Sequence, residues 1–213
     1  MEIYFEKKEK VIAYIDGFNL YFGMVEAGLE YCKWLDLKQL VTNLLKPSQE
    51  LIDVKYFTSR VNNNLEKQKR QSLYIDALEA TGVKIIYGNY QDNKVNCIRC
   101  GHIWKSAKEK MTDVNIATSI IVDAFRNEYD MAMLISGDTD LIPPIKEVHS
   151  IFNSKRVMIA FPPKRHNRVL ELIAKGSLII GRKKLVDSQL NEEIISLKGY
   201  KISIPESWKK INK

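Results

Sequence analysis

Two short apolar runs constrain this chain more than any other feature: Val11-Ile12-Ala13-Tyr14-Ile15 and Met131-Ala132-Met133-Leu134-Ile135. Each ends directly in an acidic turn that contains glycine, Asp16-Gly17-Phe18-Asn19 in one case and Ser136-Gly137-Asp138-Thr139-Asp140 in the other. Unalternating runs of this length read as strands buried on both faces, the form strands take in a parallel sheet covered by helices. In such open sheets ligands bind beyond the carboxyl ends of the strands, at the crevice where strand order reverses. If the two runs are neighbours at that crevice, Asp16, Asp138 and Asp140 converge.

The rest of the chain supports a parallel α/β sheet, because strands alternate with helical segments. Phe18 to Glu26 reads as a short helix ended by Gly28, and Asp36 to Leu45 has helical apolar spacing before Pro47. Leu51 to Thr58 is the second strand. Leu65 to Ala80 is a helix with Lys67, Lys69 and Arg70 on its outer face, stopped at Gly82 before the strand Val83 to Tyr87. From Gly88 to Lys110 periodicity is lost and the segment reads as an insertion. A helix begins at Thr112 with Asp113 in its first turn and Val114, Ala117, Ile120, Ile121, Ala124 and Phe125 on one face. After the strand Asp130 to Ile135, a helix from about Asp140 to His149 carries Pro143 and Pro144 in its first turn, which marks Asp140 as its cap. Arg156 to Phe161 is a fifth strand, Arg168 to Ala174 a helix and Ser177 to Ile180 a short last strand. One domain, residues 1–181, is expected, followed by a basic tail, 182–213, that packs on the domain, binds a partner or moves.

Composition limits the function classes. At 213 residues and 45% hydrophobic content the chain can bury one good core. Its 33 Lys and Arg against 26 Asp and Glu favour polyanionic partners without identifying one. Three cysteines do not make a secreted disulfide framework, and no apolar run approaches the length of a membrane span, so a cytoplasmic, unexported protein with no membrane partner is expected.

Three segments taken together resemble the NYN family of PIN-like nuclease domains. They are Tyr14-Ile15-Asp16-Gly17-Phe18-Asn19-Leu20, Lys110-Met111-Thr112-Asp113-Val114-Asn115 and Leu134-Ile135-Ser136-Gly137-Asp138-Thr139-Asp140-Leu141, in a resemblance running from about Val11 to Ile180. It implies a Rossmann-like, PIN-type three-layer α/β sandwich with a central, mostly parallel sheet, an acidic metal site and cleavage of RNA phosphodiesters. Carried over position by position, Asp16, Asp113, Asp138 and Asp140 form the acidic cluster, with Asn19 and Ser136 as polar supports. The chain departs from the pattern at Met111-Thr112, where similar chains often carry glycine.

The chemistry agrees with that implication. Phosphodiester hydrolysis needs an activated water and a counter-charge for the developing oxyanion, which divalent ions held by carboxylates supply. Hard ions such as Mg²⁺ or Mn²⁺ prefer oxygen ligands, so several Asp side chains make a plausible cage. Carboxylates crowded together require a cation, a proton or a basic partner such as Lys110. Each acid also has a structural use: Asp16 and Asp138 as turn residues, Asp113 at a helix dipole, Asp140 as a cap. Asp123 and Asp130 read as ordinary surface and turn residues. A metal-dependent endoribonuclease is the leading expectation. A non-catalytic RNA-binding module of the same fold is the alternative, and a haloacid-dehalogenase-like phosphatase fits less well because Asp16-Gly17-Phe18 lacks that family's second aspartate.

Cys97-Ile98-Arg99-Cys100-Gly101-His102 is half of a zinc ribbon, and a structural zinc needs four ligands. The other half is missing from this sequence. Two chains sharing one ion, as a homodimer, and a pair of reduced thiols are both compatible with it. Lys105, Lys108 and Lys110 lead into the Asp113 helix, while Lys164, Arg165 and Arg168 follow the fifth strand on the carboxyl edge. Such groups neutralise phosphates of single-stranded or structured RNA without reading bases. Tyr21, Phe22, Tyr90 and Trp104 are candidates for stacking on unpaired bases.

Overall fold

The first apolar run becomes the central strand, β1 (Glu9–Asp16), buried from Val11 to Asp16. A computed structural model describes residues 7–61, 64–96 and 98–209, with backbone alone at 90–96 and 104–109. From β1 the chain passes through α1 (Gly17–Glu26), α2 (Leu37–Leu44), β2 (Gln49–Thr58), α3 (Leu65–Ala80) and β3 (Lys84–Tyr87). A ribbon of β4 (Asn89–Asn96) and β5 (Ile103–Lys110) leads into α4 (Thr112–Phe125). There follow β6 (Met131–Ile135), α5 (Ile142–Ile151), β7 (Arg156–Phe161), α6 (Arg168–Ile173) and β8 (Ser177–Ile179).

The six-stranded sheet has the order β3-β2-β1-β6-β7-β8, and every neighbouring pair is parallel. Strand order therefore reverses between β1 and β6, which run in register from Val11 opposite Met131 to Ile15 opposite Ile135. Side chains alternate across the sheet because successive Cβ atoms in a strand point to opposite faces. Val11, Ala13 and Ile15 meet Leu20, Leu40 and Leu78 from α1, α2 and α3. Ile12 and Tyr14 meet Ile116, Ile120, Ile145 and Leu170 from α4, α5 and α6. The result is a three-layer α/β sandwich.

Several local signals place elements where the sequence puts them. α3 spans Leu65–Ala80, and Gly82 after it takes φ +85°, the left-handed conformation that glycine adopts without a Cβ clash. The insertion forms its own antiparallel ribbon, β4 against β5, apart from the main sheet.

Two expectations are corrected. The buried side of α4 is Ile116, Ile120, Asp123 and Ala124, whereas Val114 and Phe125 are each 63% exposed. Asp123 is drawn inward by polar partners on the sheet, which rotates the stripe away from the purely apolar face. Nor does Asp140 cap α5. A 3₁₀ turn, Thr139–Leu141, intervenes, capped by Asp138, and Leu141 occupies the N-cap of α5. Pro143 and Pro144 then stand where a capping side chain would find its N–H donors, so a polar cap has nothing to accept.

Beyond the sheet, α7 (Arg182–Val186) and the hairpin of β9 (Glu193–Ile195) and β10 (Lys201–Ser203) pack back on the domain. Leu185 joins the core beside α2, and Ile202, Leu190 and Trp208 gather around Trp34, Ala77 and Tyr74. Among the described residues no helix is long and apolar enough to cross a membrane.

Candidate metal centre

Three carboxylates meet at the switch point. Asp16 ends β1, Asp138 follows β6 and Asp113 lies in the first turn of α4, and each offers an oxygen within 4.8 Å of the others. Asp16 is buried and the other two are half-buried. They line a cleft of about 160 Å³ together with Phe18, Asn19, Phe22, Thr112 and Arg165.

The cluster is held by a brace between the two strand ends. Asp16 is the N-cap of α1: its Oδ1 accepts the Asn19 backbone N–H at 3.0 Å, while its Oδ2 accepts the buried Ser136 hydroxyl at 3.0 Å. Asn19 in turn accepts the Gly137 N–H through its Oδ1 at 3.0 Å, and the Ser136 Oγ accepts the Asp138 N–H at 3.1 Å. Capping and site-building are thus the same contacts. Asn19 and Ser136, expected as polar supports, aim the carboxylates and lock the loop after β1 to the loop after β6.

Close backbone approach sets the residue type at two glycines. A Cβ on Gly137 would stand 2.0 Å from the Arg165 carbonyl oxygen, and one on Gly17 would stand 2.7 Å from the Phe57 carbonyl oxygen. Neither position admits a side chain without moving the neighbouring backbone.

Asp113 reaches the cleft because α4 starts at the carboxyl edge. Its N-cap, Met111, takes φ +78°, the left-handed region. The helix therefore starts from a backbone geometry that glycine adopts freely and that a side chain bears at a conformational cost.

The remaining site candidates are distributed around this centre. Asp140 is exposed on the 3₁₀ turn, outside the group of three, and its backbone N–H donates to Asp138 Oδ1 at 2.9 Å. Arg165 lines the cleft and pairs with Glu26. Lys164 and Lys110 are exposed, while Arg168 pairs with Glu171 at 2.6 Å. The side chains of Lys105 and Lys108, and those of Tyr90 and Trp104, lie outside the described residues. So does Cys97; Cys100 is exposed and has no disulfide partner among the described residues.

Sequence reasoning missed a second cavity of about 340 Å³ beside the first, sharing Phe18 and Phe22 with it. Its rim includes Lys67 and Arg70, read from sequence as a solvated helix face, and Trp208, from the tail. Helical periodicity could not reveal it, because its walls come from five separate parts of the chain.

The parallel sheet with an acidic, cation-capable cluster at its switch point gives an α/β sandwich of PIN-like form. The family model for the NYN domain matches residues 10–179, and the chain belongs to that family. A curated relative, a 6-hydroxy-3-succinoylpyridine 3-monooxygenase from Pseudomonas putida, is 27% identical over 191 residues, covering 73% of this chain. The chain spans 60% of that relative's length. A solved protein of unknown function from Vibrio parahaemolyticus shares the fold, with a TM-score of 0.62 at 23% identity, covering 87% of this chain and 98% of its own.

Proposed function

We propose that this protein is an endoribonuclease that hydrolyses RNA phosphodiester bonds with a divalent cation, Mg²⁺ or Mn²⁺. The observation that carries the reading is the meeting of Asp16, Asp113 and Asp138 within 4.8 Å at the switch point of an NYN-family sheet. The donor set fits such an ion: three carboxylates and no soft ligand, with Asp16 already oriented by Asn19 and Ser136. When bound, a divalent ion makes water more acidic and stabilises the charge that develops on the phosphoryl oxygens. Asp16, Asp113 and Asp138 hold it. Arg165, at the rim of the same cleft, anchors a substrate phosphate, with Lys164 and Lys110 adding positive field along the approach. Asp140, exposed one turn beyond Asp138, orients a water.

The test is incubation of the purified protein with single-stranded RNA and Mn²⁺ or Mg²⁺, with a chelator control and Asp138→Asn alongside. Cleavage that needs the metal and falls on the order of a thousandfold in the variant is expected. Equal cleavage by both proteins overturns the assignment.

One comparison favours a second reading. The Pseudomonas relative is named for oxygenation of a pyridine ring, and an aromatic cavity adjoins the acidic cleft here. Monooxygenation consumes dioxygen and a reductant. Substrate-dependent oxygen uptake with 6-hydroxy-3-succinoylpyridine and a reduced nicotinamide nucleotide, without RNA cleavage, would replace the first reading with this one.

A further inference from the structure

The cavity beside the acids has the composition of a stacking site. Phe18, Tyr21 and Phe22 on α1, Tyr56 on β2, Tyr74 on α3 and Trp208 from the C-terminal segment all line it. Its charged lining residues are Lys33, Lys67 and Arg70, all cationic, and Lys33 Nζ lies 5.1 Å from the centre of the Tyr21 ring. At about 340 Å³ it is at the small end of ligand sites and admits one ring system with its sugar rather than a helix or a duplex. It opens at the same sheet edge as the acidic cleft, and Phe18 and Phe22 form the wall common to both.

We propose that this cavity is a base pocket: it takes one unpaired nucleobase of an RNA strand whose neighbouring phosphate lies at the Asp16-Asp113-Asp138 cleft. The inference rests on the nuclease reading and adds where a base beside the cleaved phosphate is held. Aromatic faces stack on any base, and cations on the rim meet the adjoining phosphates. Three polar groups of the lining are already engaged within the fold. Gln71 donates to the Ser59 carbonyl at 2.9 Å and accepts the Val61 N–H at 2.9 Å, and the Tyr74 hydroxyl donates to the Leu35 carbonyl at 2.8 Å. Recognition is therefore by stacking area, tolerant of sequence and favouring purines over pyrimidines.

Trp208 lines the pocket from outside the family match. It lies beyond residue 179, where that match ends, and reaches the cavity because the tail folds back to pack its ring 6.3 Å from Trp34 and 5.9 Å from Tyr74. The tail thus completes a wall of the cavity that residues 10–179 do not supply.

The experiment measures binding apart from cleavage. The full chain carrying Asp138→Asn is titrated with a short single-stranded RNA containing one 2-aminopurine, whose fluorescence is quenched on stacking, and with the same RNA as a duplex. Quenching with the single strand and at least tenfold weaker binding of the duplex are expected. In that background Tyr21→Ala and Trp208→Ala each weaken single-strand binding by about tenfold and reduce the quench, and Trp208→Phe restores most of it. Because Tyr21 is a surface residue of α1, its variant tests the pocket even if Trp208→Ala loosens the tail. Unchanged binding and quenching in both Tyr21→Ala and Trp208→Ala relative to their parent, or equal affinity for duplex, overturns the pocket while leaving metal-dependent cleavage standing. Intact quenching in a protein whose RNA cleavage does not depend on Asp138 overturns the nuclease reading and leaves the pocket. No binding of either RNA by the parent protein overturns both.

Discussion

Two groups of aspartates flank the central strand, and they handle charge in opposite ways. Against one face of the sheet, Asp123 of α4 is buried with Oδ2 2.6 Å from the Tyr14 hydroxyl and 2.5 Å from Lys55 Nζ. The chain supplies the opposite charge, and the contact closes the seam between α4 and β1 and β2. Tyr14 is correspondingly held in its protonated form, by burial first and by the Asp123 carboxylate second. At the carboxyl edge, Asp16, Asp113 and Asp138 accumulate like charge around an open cleft. Asp16 there accepts a backbone amide and a hydroxyl. Burial alone does not mark a functional acid: Asp123 and Asp16 are both buried, and what separates them is whether charge is cancelled or collected.

That contrast breaks most sharply on paired substitutions. Asp138→Asn is expected to remove cleavage while leaving the unfolding midpoint in chelator equal to or above the parent's, because it lowers the repulsion within the cluster. Manganese at about ten times its Kd should raise parent stability by about 1.4 kcal/mol, and that gain should shrink in the variant. A loss of stability in Asp138→Asn as large as that of an Asp123 variant would mean that both groups are structural. Asp123→Ala is expected to cost about 3 kcal/mol in denaturant unfolding, because Lys55 is left half-buried without its carboxylate, with cleavage per folded molecule unchanged. A cost under about 1 kcal/mol would remove Asp123 from the list of stabilising pairs.

Gly137→Ala tests the brace itself. The added methyl meets the Arg165 carbonyl, so the loop after β6, which Asn19 holds at the Gly137 N–H, must part from the loop after β7, at about 2 kcal/mol in stability and with a fall in cleavage. Stability lost with activity retained would show that the cleft tolerates the movement. The smallest effect is Met111→Gly, which relieves the left-handed backbone before Asp113 and should stabilise the fold by about 0.5 kcal/mol, read as a rise in melting temperature. A decrease would mean that the Met111 side chain contributes packing that outweighs its strain.

Much of this architecture was legible in short windows of sequence. β7 and α3 begin and end where hydrophobic patterning and caps put them, and Asp16, Asp113 and Asp138 meet as the strand-end and helix-start positions required. The errors have separate causes. Asp123 looks like a surface residue on its helix because Lys55 lies in another strand, 68 residues away. Asp140 looks like a cap because the prolines after it look like a helix start, yet it is the proline nitrogens that leave a cap without donors. Lys67 is exposed as its helix face suggests, but that Lys67 and Arg70 also rim a cavity shows only once Trp208 and α1 are brought opposite them.

Strands, turns and helix starts were set by the residues themselves, since periodicity, capping and proline geometry act over a few neighbours. Which acids share an ion-sized space was decided only when β1 and β6 paired, joining Asp16 to Ser136 across 120 residues. The second cavity likewise exists only because the tail returns to the sheet edge. Charges and ring faces act through space, and in this chain the groups that must meet are the ones the covalent order holds farthest apart.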